Sequence, residues 1–196
     1  MGEKQQEEKR ENGRELYEWV QALVGSVLVV VLVFTFVIRL IGVDGHSMVP
    51  TLQDGDRLLV LNSMLYDDYK YGDIVILRKN GVFDNEPIVK RVIATEGQIV
   101  DMDFVNGIVY VDGLPLEEDY INTPTNLDEG SVFPQIVEED HVFVMGDNRN
   151  NSKDSRSLEI GQVDKREVLG KVALLMVPGT DHGAEARDVH RIGTVK

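Results

Sequence analysis

Residues 44–62 read DGHSMVPTLQDGDRLLVLN, and they mark the point where one kind of sequence gives way to another. Before them lies a single long apolar run. After them come short apolar runs broken by glycine and aspartate: DRLLVLN, GDIVILR, PIVKRVIA, QIVDMDF, GIVYVDG, HVFVMGD and VLGKVALLMV. Each of these reads as a strand. No long amphipathic helix separates them, so the pattern predicts a mainly β domain rather than a doubly wound one. Asn106-Gly107 between two runs predicts a type I′ hairpin.

Upstream, WVQALVGSVLVVVLVFTFVI, residues 19–38, carries no charged side chain. Twenty residues at ~1.5 Å each match a hydrocarbon core of about 30 Å, which predicts a transmembrane helix. A buried core helix would show a polar stripe over five turns. A cleaved signal peptide would be shorter and would end in a small-x-small site, which IRLIGVDG does not offer. Tyr17 and Trp19 suit one interface and Arg39 suits snorkelling at the other. Lys4, Lys9, Arg10 and Arg14 precede the run, against Arg39 and Arg57 after it, which predicts a cytoplasmic N-terminus. The six glutamates of residues 1–18 do not weigh against this.

The 196-residue chain has a net charge of −14 and a pI near 4.6, which argues against a partner held by its phosphates. It has no cysteine, excluding disulfides, thiolate catalysis and cysteine-ligated zinc. Composition divides it into a charged tail (1–18), expected to be disordered and then helical, and the span with its exit (19–43). A β core follows in two parts (44–98 and 136–178), separated by a lobe (99–135) whose stretch TPTNLDEGSVFPQ is rich in turn residues. The end, 179–196, is polar and reads as a mobile tail.

Ser47 is the candidate nucleophile of the opening stretch. The strand–turn–helix elbow G-x-S-x-G is not met, because Val49 holds the last place. A serine hydroxyl needs a base. His46 is adjacent and points elsewhere in an extended segment; His141 begins a strand; His182 and His190 lie in the tail. In IVKRVI, alternation places Ile88, Lys90 and Val92 on one face and Val89, Arg91 and Ile93 on the other. A lysine flanked by β-branched neighbours is desolvated, and a fall of about 2–3 units from ~10.4 would make it a base near neutral pH. Alternation alone favours a different reading, an edge-strand lysine that opposes aggregation. The weight shifts with GDNRNNSKDSR, residues 146–156, which holds far more hydrogen-bonding capacity than a turn requires. Arg149 stands where the third ligand of a calcium loop would be, so this is not an EF-hand. Asp154 and Arg156 are spaced to pair, and Ser152 to bond a neutral amine.

Taken in order, the span, GHSMVPTLQDGDRLLV, YGDIVIL, KRVIATEGQ and VFVMGDNRNNSKDSR resemble the bacterial type I signal peptidases, from about Trp19 to Pro178. The resemblance implies a β catalytic core with a small inserted β lobe. It implies Ser47 as nucleophile and Lys90 as general base, with Arg91, Asp147, Asn148, Arg149, Ser152, Asp154 and Arg156 as supporting residues. Met48, Leu52, Ile88 and Val89 are expected to shape pockets for small side chains. It implies no metal or organic cofactor, exported preproteins as substrates at the outer face of the cytoplasmic membrane, and the bilayer and secretion translocon as partners. A single span resembles the Gram-positive members. Two positions depart from the family pattern. Some members carry, two residues before the nucleophile, a serine that helps bind the oxyanion; here it is Gly45, which leaves more to the N–H of Ser47 and a second donor. Many have aspartate at Asn150, with little consequence expected. The alternatives are a histidine base, His141, and a membrane-anchored β module that binds a partner without catalysis.

Overall fold

Helix α1 spans Gly2–Phe36 in a computed structural model that describes residues 2–180 and 187–195, with side chains from Arg14 onward. Arg14–Phe36 is long and apolar enough to cross a membrane, with a mean hydropathy of 2.3 and no part of that window buried in the protein. Its two hydroxyl side chains in the apolar stretch are satisfied within the helix. Ser26 Oγ donates to Leu23 O at 2.8 Å and Thr35 Oγ1 to Val31 O at 2.7 Å, as an apolar medium requires. The helix ends at Phe36, two residues before the predicted boundary. The expectation that residues 1–18 begin disordered before turning helical is corrected in its first part, since the helix already starts at Gly2. Glu, Gln, Lys and Arg are strong helix formers, and growing from an existing helix avoids the nucleation cost.

The second unit, residues 39–196, is the β domain. Its strands, counted with the short β1 that opens it, are β1 (Ile38–Gly42), β2 (Arg57–Asn62), β3 (Ile74–Leu77), β4 (Ile88–Thr95), β5 (Ile99–Asp103), β6 (Ile108–Val111), β7 (Leu114–Pro115), β8 (Gln135–Ile136), β9 (His141–Met145), β10 (Val163–Asp164) and β11 (Val168–Val177). All seven apolar runs form strands. The unpredicted ones are β1, half exposed and inside the predicted exit, and three strands of two residues each, too short for a period-two signal.

Seven strands form one sheet in the order β1-β2-β11-β3-β4-β9-β10, and four form another, β7-β6-β5-β8, which covers residues 99–136 of the chain between β4 and β9. Strand β4 is interior, with Val75 paired to Lys90, Ile74 to Arg91, and Arg91 to Met145. One apolar cluster joins Val43, Met48 and Leu52 to β2, β3 and β11; a second includes Val75, Val92 and Val144; a third, with Ile93, Val100 and Phe143, lies where the two sheets share side chains.

The predicted type I′ turn is not formed. That turn needs two residues with positive φ, whereas Asp103 pairs with Ile108 across a four-residue loop in which Gly107 alone is positive, at 72°. The Asp103 carboxylate accepts the N–H groups of Val105 and Asn106 at 3.0 Å and closes the loop itself.

The described end of the tail, 187–195, also departs from expectation, since it is docked. Gly193 and Leu175 exchange backbone hydrogen bonds of 2.8 and 3.1 Å, and Val195 packs against the first cluster. Its polar composition concealed that Arg191 faces the fully buried Asp56. His182 lies outside the described residues.

Gly170 in β11 pairs with Asn62 on one side and Ile76 on the other, and a Cβ there would stand 2.1 Å from the Leu61 carbonyl oxygen. Relief would require opening the β2–β11 ladder. Gly170→Ala is therefore expected to lower stability by about 2 kcal/mol or more. Thermal unfolding followed by circular dichroism checks this; an unchanged Tm would contradict it.

Candidate active site

The Ser47 loop is rooted by apolar side chains and closed by its own aspartates. Met48 and Leu52 are buried in the first cluster, which explains why apolar residues occupy a turn. Val49 N–H donates to His46 O and Leu52 N–H to Met48 O. Gly45 N–H donates to Asp54 Oδ1 at 2.9 Å, and Gln53 N–H to Asp56 Oδ2 at 2.8 Å. Gly45 takes φ 98°, with open space where a Cβ would stand. A serine there is thus disfavoured by the backbone, not by crowding. Ser47 remains half-buried, facing a groove.

Lys90 reaches that serine from the middle of the sheet, so the edge-strand reading fails. Its Nζ lies 2.8 Å from Ser47 Oγ and donates to Val89 O at 3.1 Å. Among the described residues it forms no ion pair. Burial pushes its pKa down to about 8, with a small further push from Arg156. Asp154, Glu129 and Asp147 act the other way and limit the fall. His141 is remote from this pair: its Nδ1 meets Glu139 O at 2.7 Å at the start of β9, while Gly146, beyond the strand's far end, abuts Ser47 O. Five residues of extended chain span roughly 16 Å. His46 and His190 are exposed.

The loop after β9 binds the serine loop through its backbone. Asn148 N–H donates to Ser47 O at 3.0 Å and its Nδ2 to His46 O at 3.0 Å. Gly146 has no room for a side chain, because a Cβ would stand 2.2 Å from Ser152 Oγ and 2.5 Å from Ser47 O. Three arginine–carboxylate pairs hold this packing. Arg91 grips Asp147 at 2.8 and 2.7 Å, and Thr51 Oγ1 donates to the same carboxylate at 2.5 Å. Arg156 grips Asp154 at 2.8 Å through both Nε and Nη2. Arg149 bonds Glu118 at 2.8 and 2.5 Å and donates to Gly146 O at 3.1 Å. Such bidentate pairs fix angle as well as distance. The Asp154–Arg156 pair forms as predicted, whereas the Ser152 hydroxyl donates to Asp154 Oδ2 at 2.9 Å rather than to the amine.

A groove of about 580 Å³ runs past Ser47 and Lys90, lined among others by Met48, Ile88, Val89 and Ile76. Leu52, expected on its wall, is instead fully buried in the core behind it, because its spacing from Met48 makes it a root of the same turn. No group of side chains suited to a metal ion occurs among the described residues. Sequence reasoning missed Thr51, Glu118 and Thr125. Thr51 stands in the motif run and Glu118 in a run of acids, but only the fold shows that Glu118 and Thr125 meet the buried Arg149. Asn150 makes four contacts with the inserted segment. Its Oδ1 accepts from Asn126 and Leu127 N–H at 3.1 Å, and its Nδ2 donates to Pro124 O at 3.0 Å and Thr123 Oγ1 at 3.1 Å.

A hydroxyl within reach of a buried amine, beside an apolar groove, has the make-up of a serine hydrolase site. Comparison with known proteins agrees. The profile of the family described as signal peptidase, peptidase S26, matches residues 16–177. Signal peptidase I of Bacillus licheniformis is 36% identical over 181 residues, covering 88% of this chain and 95% of its own. A probable signal peptidase I-1 of Synechocystis is 38% identical over 168 residues, with 82% of each chain covered. A crystal structure of a signal peptidase I from Enterococcus faecalis V583 is 27% identical, covers 53% of this chain and 96% of its own, and has a TM-score of 0.43. The chain belongs to the signal peptidase family, peptidase S26, of the bacterial type I kind: a serine peptidase, and thus a hydrolase, whose family removes signal peptides. The apolar α1 is consistent with anchoring in a membrane.

An aspartate at position 150 could keep the two acceptor contacts and take a bond from the Thr123 hydroxyl, but would lose the bond to the Pro124 carbonyl and face that oxygen with its own. Asn150→Asp is expected to cost about 1–2 kcal/mol, seen as a lower Tm. Asn150→Ala, which loses all four contacts, should cost at least as much as the aspartate only if no carboxylate repulsion adds to the latter; comparison of the two midpoints separates lost hydrogen bonds from repulsion.

Proposed function

We propose that this protein is a membrane-anchored endopeptidase in which Ser47 is the nucleophile and Lys90 the general base, cutting signal peptides from exported preproteins at the outer face of the cytoplasmic membrane. The observation that carries this reading is the 2.8 Å approach of a buried lysine amine to the Ser47 hydroxyl. Neutral Lys90 takes the proton from Ser47 Oγ as the oxygen attacks the scissile carbonyl. Charge then develops on the carbonyl oxygen, and in this reading the Ser47 N–H donates to it. The lysine ammonium returns its proton to the leaving amine, and the neutral amine then activates the water that hydrolyses the acyl-enzyme. The apolar walls at Met48, Ile88 and Val89 suit small uncharged side chains beside the cleaved bond.

Membrane placement supports the same reading. From Phe36, where the helix ends, to Ser47 there are eleven residues, which extend to no more than roughly 40 Å. The serine thus works close to the bilayer in which a substrate's apolar segment, delivered by the translocon, is held. The lysine and arginine bias before the span favours an N-terminus inside and a β domain outside.

The test is cleavage of a preprotein with an A-x-A site by detergent-solubilised protein. Ser47→Ala and Lys90→Met should each lower the rate by on the order of a thousandfold or more, and His141→Ala should leave it unchanged. Activity should rise with pH through about 8 as Lys90 loses its proton. An active Lys90→Met, or an inactive His141→Ala, would overturn the assignment.

Stability should move in the same sense. The folded-state pKa of Lys90, about 8, lies below the ordinary value of 10.5, so the unfolded chain binds more protons between them and stability rises with pH through that window. Below pH 8 the full cost of a buried ammonium is present. Lys90→Met is therefore expected to be inactive yet more stable near pH 7, by on the order of 1–3 kcal/mol, measured by denaturant unfolding.

A further inference from the structure

Arg191 stands beyond the stretch matched by the family profile, which stops at residue 177, yet its side chain reaches the serine loop. Its guanidinium donates to Asp56 Oδ1 at 3.0 Å and Oδ2 at 2.6 Å, to Gln53 Oε1 at 2.9 Å and to the backbone carbonyl of Thr51 at 3.2 Å. These are successive points of the turn that follows Ser47. Asp56 is fully buried, and among the described residues Arg191 is the one cation paired with it. The same carboxylate accepts Gln53 N–H at 2.8 Å and Gly179 N–H at 2.7 Å, so it is the hub around which the turn closes.

Thr51 is held from two sides. Arg191 takes its carbonyl, while its hydroxyl donates to Asp147, the partner of Arg91 on the lysine strand. One continuous set of contacts thus runs from Arg191 through Thr51 and Asp147 to the residue next to Lys90. The strap carrying Arg191 is itself fixed by the paired backbones of Gly193 and Leu175 and by Val195, which packs on the cluster that holds Met48 and Leu52.

We propose that Arg191 is a positioning residue for the reaction: the C-terminal strap inserts its guanidinium behind the serine loop and fixes the distance between Ser47 and Lys90. This rests on the reading of Ser47 as nucleophile. The fork geometry matters, because four acceptors on one planar group cannot be matched by a lysine ammonium. The groove is lined by other residues, so substrate binding is not the quantity Arg191 controls.

The experiment uses the full-length protein in detergent with the A-x-A preprotein. Arg191→Met is expected to lower kcat by on the order of 10- to 100-fold, the cost of a misplacement near 1 Å, with KM little changed. Arg191→Lys should recover only part of the loss. Because Arg191→Met leaves Asp56 buried without a cation, the double variant Asp56→Asn with Arg191→Met is made alongside; it removes the unpaired charge but sets an amide NH2 against the Gln53 or Gly179 N–H, so it should regain part of the thermal midpoint without regaining kcat. Wild-type kcat in a folded Arg191→Met or in the double variant overturns the proposal, as does a loss that appears only in KM. The nucleophile reading fails separately: in that case Ser47→Ala retains activity, whatever the Arg191 variants do.

Discussion

A lysine amine held 2.8 Å from a serine hydroxyl, inside the sheet and with no ion-pair partner among the described residues, is the constraint on which the rest of this structure depends. An ammonium in that place is costly, and burial lowers its pKa. The surrounding carboxylates work against this, since Asp154 and Asp147 both favour the charged amine. Each of them is gripped by its own arginine, Arg156 for one and Arg91 for the other. The arginines therefore do more than brace a loop. Arg156 also pushes the pKa of Lys90 down, against the carboxylate it holds.

A third pair, Arg149 with Glu118, ties the segment inserted between β4 and β9 to the site. Residues 118–127, which follow its hairpin, send Glu118 and Thr125 to Arg149, Asn122 to Asn148 and backbone groups to Asn150. Asn148 then holds the carbonyls of His46 and Ser47. The serine loop is consequently held by the inserted segment through Asn148, by the core through Met48 and Leu52, and by the C-terminal strap through Arg191. A turn with φ-positive glycines at both ends has little rigidity of its own, so its geometry is imposed by these neighbours.

Some of this was legible in the residues. The charge-free run before residue 39 exceeds what a soluble helix shows, and all seven alternating or apolar runs became strands. The GDNRNNSKDSR stretch announced its network through an excess of donors and acceptors. Other features were not legible. The Asn106-Gly107 pair looked like a two-residue turn because the competing bond from Asp103 is not visible in a dipeptide. The polar tail looked mobile because the acceptor of Arg191 lies some 135 residues away in sequence.

By itself the sequence determined the apolar helix and the β character of the remainder, because these are written in local pattern and composition; Ser47, Lys90 and the bracing loop it marked as candidates, through motifs that resemble a family when taken in order. The tertiary structure decided that Lys90 is interior rather than at an edge, that Leu52 lies behind the groove rather than on it, that Ser152 bonds Asp154, and that Glu118 reaches Arg149 while Arg191 reaches the turn after Ser47. The physical reason is common to all four. Burial and pairing between groups far apart in the chain depend on strand order and register, and no local periodicity encodes which strand becomes whose neighbour.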